Sequence, residues 1–173
     1  MSKKPNSSSE TTPPPPPNSG KRAKQTGNSL EIFVENALRD NGYTEFWNHK
    51  AHAFENRNAI GGKQYLKQLP IGPSIYETPR KCDFLVINRE KFRDDLIIEC
   101  KWQQSSGSVD EKYPLLLFNI LKTGIPTVVL LDGSGYREAA RKWLLEQVHP
   151  KGALIGVFTM AEFQTHVNNG FLG

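Results

Sequence analysis

Asp83, Glu99 and Lys101 are the residues of this 173-residue chain whose types and spacing could do chemistry. Glu99 and Lys101 fall near the end of Leu96-Ile-Ile-Glu-Cys-Lys-Trp102, whose first three residues are apolar without interruption, as in a strand covered on both faces. Side chains alternate along a strand, so Glu99 and Lys101 share one face and Cys100 turns to the other. Asp83 opens the run Asp83-Phe-Leu-Val-Ile87, and the polar turn 88–95 makes the two runs an antiparallel hairpin that brings Asp83 to the same end. Carboxylate oxygens bind hard cations or carry protons, and an ammonium group beside them offsets negative charge. Charges in a covered sheet need partners or a task of this kind.

A Glu-x-Lys tripeptide alone says little: with each charged type at roughly 6% of residues, about 0.6 matches arise by chance in this length. Asp110-Glu111-Lys112 fits the looser acid-x-Lys pattern, yet it follows Ser105-Ser-Gly-Ser108, and its Ser108/Glu111 pair predicts a capping box at a helix start. Position separates the two. Only Glu99-Cys100-Lys101 ends an apolar strand, has an aspartate on the preceding strand and follows an acidic helix. That helix is predicted over 29–40, where Leu30, Phe33, Val34, Ala37 and Leu38 recur at helical spacing, with Asn28 or Ser29 as cap and Asn41-Gly42 as stop. Glu31 and Glu35 lie one turn apart beside the apolar stripe, and either can reach inward.

Together these residues resemble the PD-(D/E)XK nuclease superfamily, the fold group of many restriction endonucleases, archaeal Holliday-junction resolvases and recombination exonucleases. The resemblance spans about 27–131. It makes Asp83 the motif aspartate and Glu99-Cys100-Lys101 the (D/E)XK element, and it places Gln103 where several members carry a catalytic glutamine. The upstream helix resembles the resolvase form, with Gly27, Glu31 and Gly42-Tyr43 at similar spacing, which nominates Glu31 over Glu35. Cys82 stands where the name-giving proline would be.

The combination suits phosphodiester hydrolysis, in which a charged phosphate must be neutralised and a water deprotonated beside it. Asp83 and Glu99 are oxygen ligands of the kind Mg²⁺ prefers, with the Cys100 carbonyl as a third and Mn²⁺ able to substitute. Lys101 would orient the attacking water, and Glu31 would hold a further ion or a bound water. The expectation is a metal-dependent DNA endonuclease. The alternatives are a structure-selective nuclease such as a junction resolvase, or a nucleic-acid-binding module of the same fold without catalysis. One such site cuts one strand, so two-strand cleavage implies a homodimer.

The elements that must position these residues read as α-β-β-β-α-β-α-β-α. A first strand is predicted over 64–70, a helix over 109–122 that Pro114 interrupts near its start, a buried strand over 127–131, a helix over 136–148, a strand over 154–158, and a capping box at Thr159-Met-Ala-Glu162 opening a last helix. This predicts a restriction-endonuclease-like α/β fold, a mixed central sheet flanked by helices, with strand 127–131 beside the hairpin and a C-terminal α-β-α extension. Trp143 and Leu144 are expected in the core, and Trp102 under a helix. Arg80, Lys81, Lys63 and Lys67 are candidate DNA contacts, Arg80 and Lys81 through adjacency to Asp83. His49 and His52 lack further ligands at metal-site spacing and are read as ordinary polar residues.

Composition bounds the rest. At 37% hydrophobic residues the chain suits one compact domain. Two cysteines, Cys82 and Cys100, are too few for a disulfide scaffold. The longest apolar runs are far too short to span a bilayer, and the N-terminus lacks the apolar segment of a secretory signal, which predicts a soluble cytoplasmic protein. Residues 1–25 hold five consecutive prolines and no Leu, Ile, Val or aromatic residue, which predicts a disordered arm ahead of a nuclease-like domain over 26–173. Lys3, Lys4, Lys21, Arg22 and Lys24 against Glu10 give the arm the whole formal excess of +4.

Overall fold

The computed structural model describes residues 19–46, 54–104 and 110–173, with side chains from Ser29 onward. His49, His52, Ser108 and the first 18 residues of the arm lie outside the described residues.

Six strands form one mixed sheet in sequence order: β1 Thr44–Glu45, β2 Gln64–Pro73, β3 Pro79–Ile87, β4 Leu96–Trp102, β5 Thr127–Asp132 and β6 Leu154–Phe158. The central β2-β3-β4 meander is antiparallel, while β1 joins β2 and β4-β5-β6 join one another in parallel. Helices α1 Ser19–Asp40, α2 Lys112–Thr123, α3 Glu138–Glu146 and α4 Met160–Asn168 flank it. The parallel strands need crossovers, and α2 and α3 supply them.

The alternating residues sort the faces. Phe84, Val86, Leu96, Ile98, Val128 and Leu130 pack under α1 and α4 through Leu30, Val34, Leu38, Phe163 and Val167. On the opposite face Leu85, Ile87 and Ile97 join Leu66 and Leu69, while Val129 and Leu131 meet Tyr113, Leu117 and Ile120 of α2 and Leu144 of α3. Both faces of β4 and β5 are therefore covered, which is why their sequences read as unbroken apolar runs.

Boundaries differ from expectation where local signals were weak. The first helix starts at Ser19 rather than 29, because Lys21 to Gln25 are good helix formers and Gly27 does not stop them, so residues 19–25 of the expected arm are helical. The second helix starts at Lys112 behind Glu111, which makes no side-chain cap. Pro114 sits in its first turn, where backbone N–H groups have no intrahelical acceptor to lose, so nothing is interrupted. β3 starts at Pro79, which places Asp83 inside the strand. Leu144 is buried, but Trp143 is partly exposed. The Thr159/Glu162 capping box is present in both of its bonds.

Two irregularities shape the site. The β3–β4 ladder stops at Phe84↔Ile98, whereas β2 and β3 stay paired to Pro73↔Pro79, so this hairpin leaves the sheet at Asp83. At the same level β2 reverses its facing: Leu66 and Leu69, three residues apart, join the same cluster, as do Cys82 and Leu85 on β3. Regular alternation would put each pair on opposite faces. Gln68, between Lys67↔Phe84 and Leu69↔Cys82, has φ +49 and makes the reversal.

Candidate active site

Where β3 parts from β4, backbone groups lose their ladder partners, and a side chain fills the gap. The Cys100 N–H donates to Asp83 Oδ2 at 2.8 Å. Lys101 Nζ lies 3.2 Å from the same oxygen, 2.8 Å from Glu99 Oε2 and 3.3 Å from the Cys100 carbonyl. The three charges expected to converge do so, around one point. Glu99 has only 4% of its side chain exposed, while Lys101 keeps 34%, so the cluster opens to solvent on the lysine side. Burial acts to discharge Lys101, but the Glu99 and Asp83 carboxylates outweigh it and hold its pKa above the ordinary lysine value.

That ammonium is a cation already surrounded by two carboxylate oxygens and one carbonyl oxygen. The donor set is all hard oxygen, the chemistry a divalent cation prefers, so Asp83, Glu99 and the Cys100 carbonyl are the groups that would hold one, with Lys101 and Arg80 already offsetting the two carboxylates. The Cys100 thiol is turned toward the α1 face, where burial, with the Asp83 charge adding to it, raises its pKa well above the ordinary value. It takes no part in that donor set.

The helix acids separate cleanly. Burial raises the Glu31 pKa, the Asp83 charge raises it further, and Gln68 and Lys101 pull it back, so Glu31 shares the electrostatics of the site. Glu35 accepts from Lys67 Nζ at 3.0 Å with each oxygen, from Tyr65 at 2.9 Å and from Arg39 at 2.6 Å. Burial opposes its charge, but these bonds hold its carboxyl below the usual value. Glu31→Gln is therefore expected to lower activity partially and leave stability near the parent's, whereas Glu35→Gln loosens α1 from β2, at about 1–2 kcal/mol, and leaves the site intact. Cleavage rates and denaturant midpoints of both variants check this, and an inactive Glu35→Gln beside a normal Glu31→Gln would reverse the assignment.

Of the candidate DNA contacts, Lys81 is the one exposed to solvent. Lys63 Nζ donates to the Gly173 carbonyl at 2.6 Å and the Asn41 carbonyl at 3.2 Å, tying the C-terminus to the α1–β1 turn. Lys67 is spent on Glu35 and Glu45. Arg80 turns inward, 12% exposed: one nitrogen donates to Glu99 Oε1 at 2.9 Å, and the other to the Asn119 carbonyl and Thr123 Oγ1 near the end of α2. Each of these three finds a carboxylate or carbonyl partner within the fold.

Gln103 also finds its partners within the fold. Its side chain is 2% exposed; Nε2 donates to Asp110 and to the Gly135 carbonyl, and Oε1 accepts from Tyr113 at 2.6 Å. It pins the start of α2 and the 133–135 turn to the end of β4. The turn approaches so closely that a Cβ on Gly133, at φ +103, would run into the Gln103 carbonyl. Trp102 packs against the α1 face as expected, its buried indole N–H lacking a partner among the described residues.

Gln68 is the site residue that sequence reasoning missed. Arg80 is picked out by its adjacency to Asp83 as a phosphate contact, and its bond to Glu99 is what the sequence does not reveal. Gln68 is visible only through hairpin register, which sets it opposite Asp83. Its Nε2 donates to Asp83 Oδ1 at 3.1 Å.

A family model described as a PD-(D/E)XK nuclease superfamily domain matches residues 22–171. Comparison with curated proteins and with solved structures yields no match.

Proposed function

Because the chain belongs to the PD-(D/E)XK nuclease superfamily, we propose that it is a Mg²⁺-dependent DNA endonuclease whose site is Asp83, Glu99 and Lys101, with Glu31 at its rim. The observation that carries this reading is the convergence of two carboxylates and the Cys100 carbonyl on the Lys101 ammonium at the parting of β3 and β4. A divalent cation held by Asp83, Glu99 and that carbonyl supplies charge neutralisation at the phosphate and a more acidic water.

The chain's own groups do the rest. Lys101 donates hydrogen bonds to the attacking water and to the phosphate oxygens as charge builds on them. Arg80 holds the far oxygen of Glu99, so that carboxylate presents Oε2 toward the reacting centre. Cys100 N–H and Gln68 hold Asp83 by its two oxygens. Glu31, which feels the charges of Asp83 and Lys101, can hold a water or a further cation. Lys81, two residues from Asp83 and exposed, is placed to meet a neighbouring phosphate.

The test is a metal titration on supercoiled plasmid and on branched duplexes. Nicking that requires Mg²⁺, is supported by Mn²⁺ and stops with chelator is expected. Cleavage of branched duplexes alone would make the protein a structure-selective nuclease, and binding without cleavage under every metal would make it a binding module. Two-strand breaks would require two copies, which light scattering on the substrate complex would reveal. No helix among the described residues is long and apolar enough to cross a membrane; the cytoplasm is the compartment we assign, and fractionation of expressing cells would test it.

A further inference from the structure

Gln68 combines a strained backbone with a polar group aimed at the site. Its φ of +49 is uncommon outside glycine, asparagine and aspartate. Its side chain is exposed, so the pull of a buried core does not account for its conformation. The reversal has consequences on both faces of the hairpin. On one, Leu69, Ile71 and Cys82 are carried to the cluster holding Leu66 and Leu85, and Arg80 beyond them reaches Glu99. On the other, the Gln68 carboxamide donates to Asp83 Oδ1.

The residue type suits the place. A lysine there would compete with a bound cation, and a carboxylate would add to the repulsion between Glu31 and Asp83. A carboxamide is a neutral donor that reaches Asp83 without adding charge to the site. We propose that Gln68 is a positioning residue: its left-handed backbone turns the hairpin at Asp83, and its carboxamide holds Asp83 in the orientation that receives a divalent cation. The inference rests on the nuclease reading for its purpose and on the geometry around Gln68 for its substance.

Gln68→Gly keeps the left-handed backbone and deletes the carboxamide, while Gln68→Asn keeps a tolerant backbone and an amide one methylene shorter. Both would be made in the full chain and compared with the parent by thermal unfolding, by calorimetric titration with Mn²⁺ alone, and by the Mg²⁺ concentration needed for half-maximal nicking. The glycine variant should unfold no earlier than the parent, yet bind Mn²⁺ roughly tenfold more weakly or worse, as for loss of a hydrogen bond to a charged group. Asparagine should recover part of that loss, and the Mg²⁺ requirement for nicking should rise in step. A glycine variant that binds Mn²⁺ with the parent's affinity would reduce Gln68 to a turn residue and overturn the proposal, leaving the nuclease reading untouched. A parent that binds Mn²⁺ but cleaves nothing would sink the nuclease reading, while the affinities would still decide the role of Gln68. A parent that binds no Mn²⁺ would overturn both.

Discussion

Lys101→Ala is expected to lower phosphodiester cleavage by at least about a thousandfold while the fold and nucleic-acid binding survive. The ammonium touches both acids and the Cys100 carbonyl, so its loss removes the donor nearest the reacting centre. The fold tolerates the change because Glu99 keeps Arg80, and Asp83 keeps the Cys100 N–H and Gln68. Asp83→Ala should be as severe for cleavage and should cost stability as well, since the Cys100 N–H then loses its partner. A nicking assay beside circular dichroism and a gel-shift measurement on the purified variants checks both, and parent-like cleavage in either would sink the site assignment.

The pH dependence follows from the direction of the lysine shift. A group whose folded-state pKa is raised contributes stability that is fully present below its unfolded value and is lost as pH rises through the folded one. The Lys101 contribution therefore persists across the neutral range and fades only in strong alkali. A loss of stability near neutral pH that disappears in Lys101→Ala would contradict this.

Arg80→Ala is expected to destabilise the protein by about 3 kcal/mol and to depress cleavage along with it. Arg80 is the one link between Glu99 and the end of α2, through the Asn119 carbonyl and Thr123. Without it Glu99 keeps only Lys101 against its charge, and its carboxylate is free to rotate away from the orientation facing Asp83. Arg80→Lys keeps the charge, but one ammonium cannot span the carboxylate and the helix end as the guanidinium fork does, so partial recovery is expected. Urea midpoints and single-turnover rates on the three proteins separate this from a substrate contact. A surface arginine that met only phosphate would leave the midpoint unchanged and weaken nucleic-acid affinity alone.

Much of the frame is local, and local patterns reach the sequence. The bounds of β4 and β6, the Thr159/Glu162 cap and the antiparallel hairpin follow from period-2 alternation, apolar runs and turn residues, all acting over a few neighbours. The meeting of Asp83, Glu99 and Lys101 belongs to this class too, because a hairpin's register follows from its turn. Glu31, one turn from Glu35 on the same helix, does not: periodicity gave both an equal claim, and the difference lies in what faces them, Gln68 and Asp83 for one, Lys67 and Tyr65 for the other.

What the tertiary structure alone decided is the fate of the other polar side chains. Lys63, Lys67, Arg80 and Gln103 all stand near the site in sequence or on its strands, and each is also bonded to a distant element. Lys63 reaches the chain's last residue, Lys67 reaches α1, Arg80 the end of α2, and Gln103 the 133–135 turn. A lysine on a solvated face and a lysine caught by a buried carboxylate have the same local sequence; only the arrival of the partner from a distant element separates them. The reversal at Gln68 is of the same kind. Nothing in a glutamine announces a left-handed backbone, and the hairpin adopts it where Leu69, Ile71 and Cys82 pack on one face and Asp83 accepts from the Gln68 carboxamide on the other.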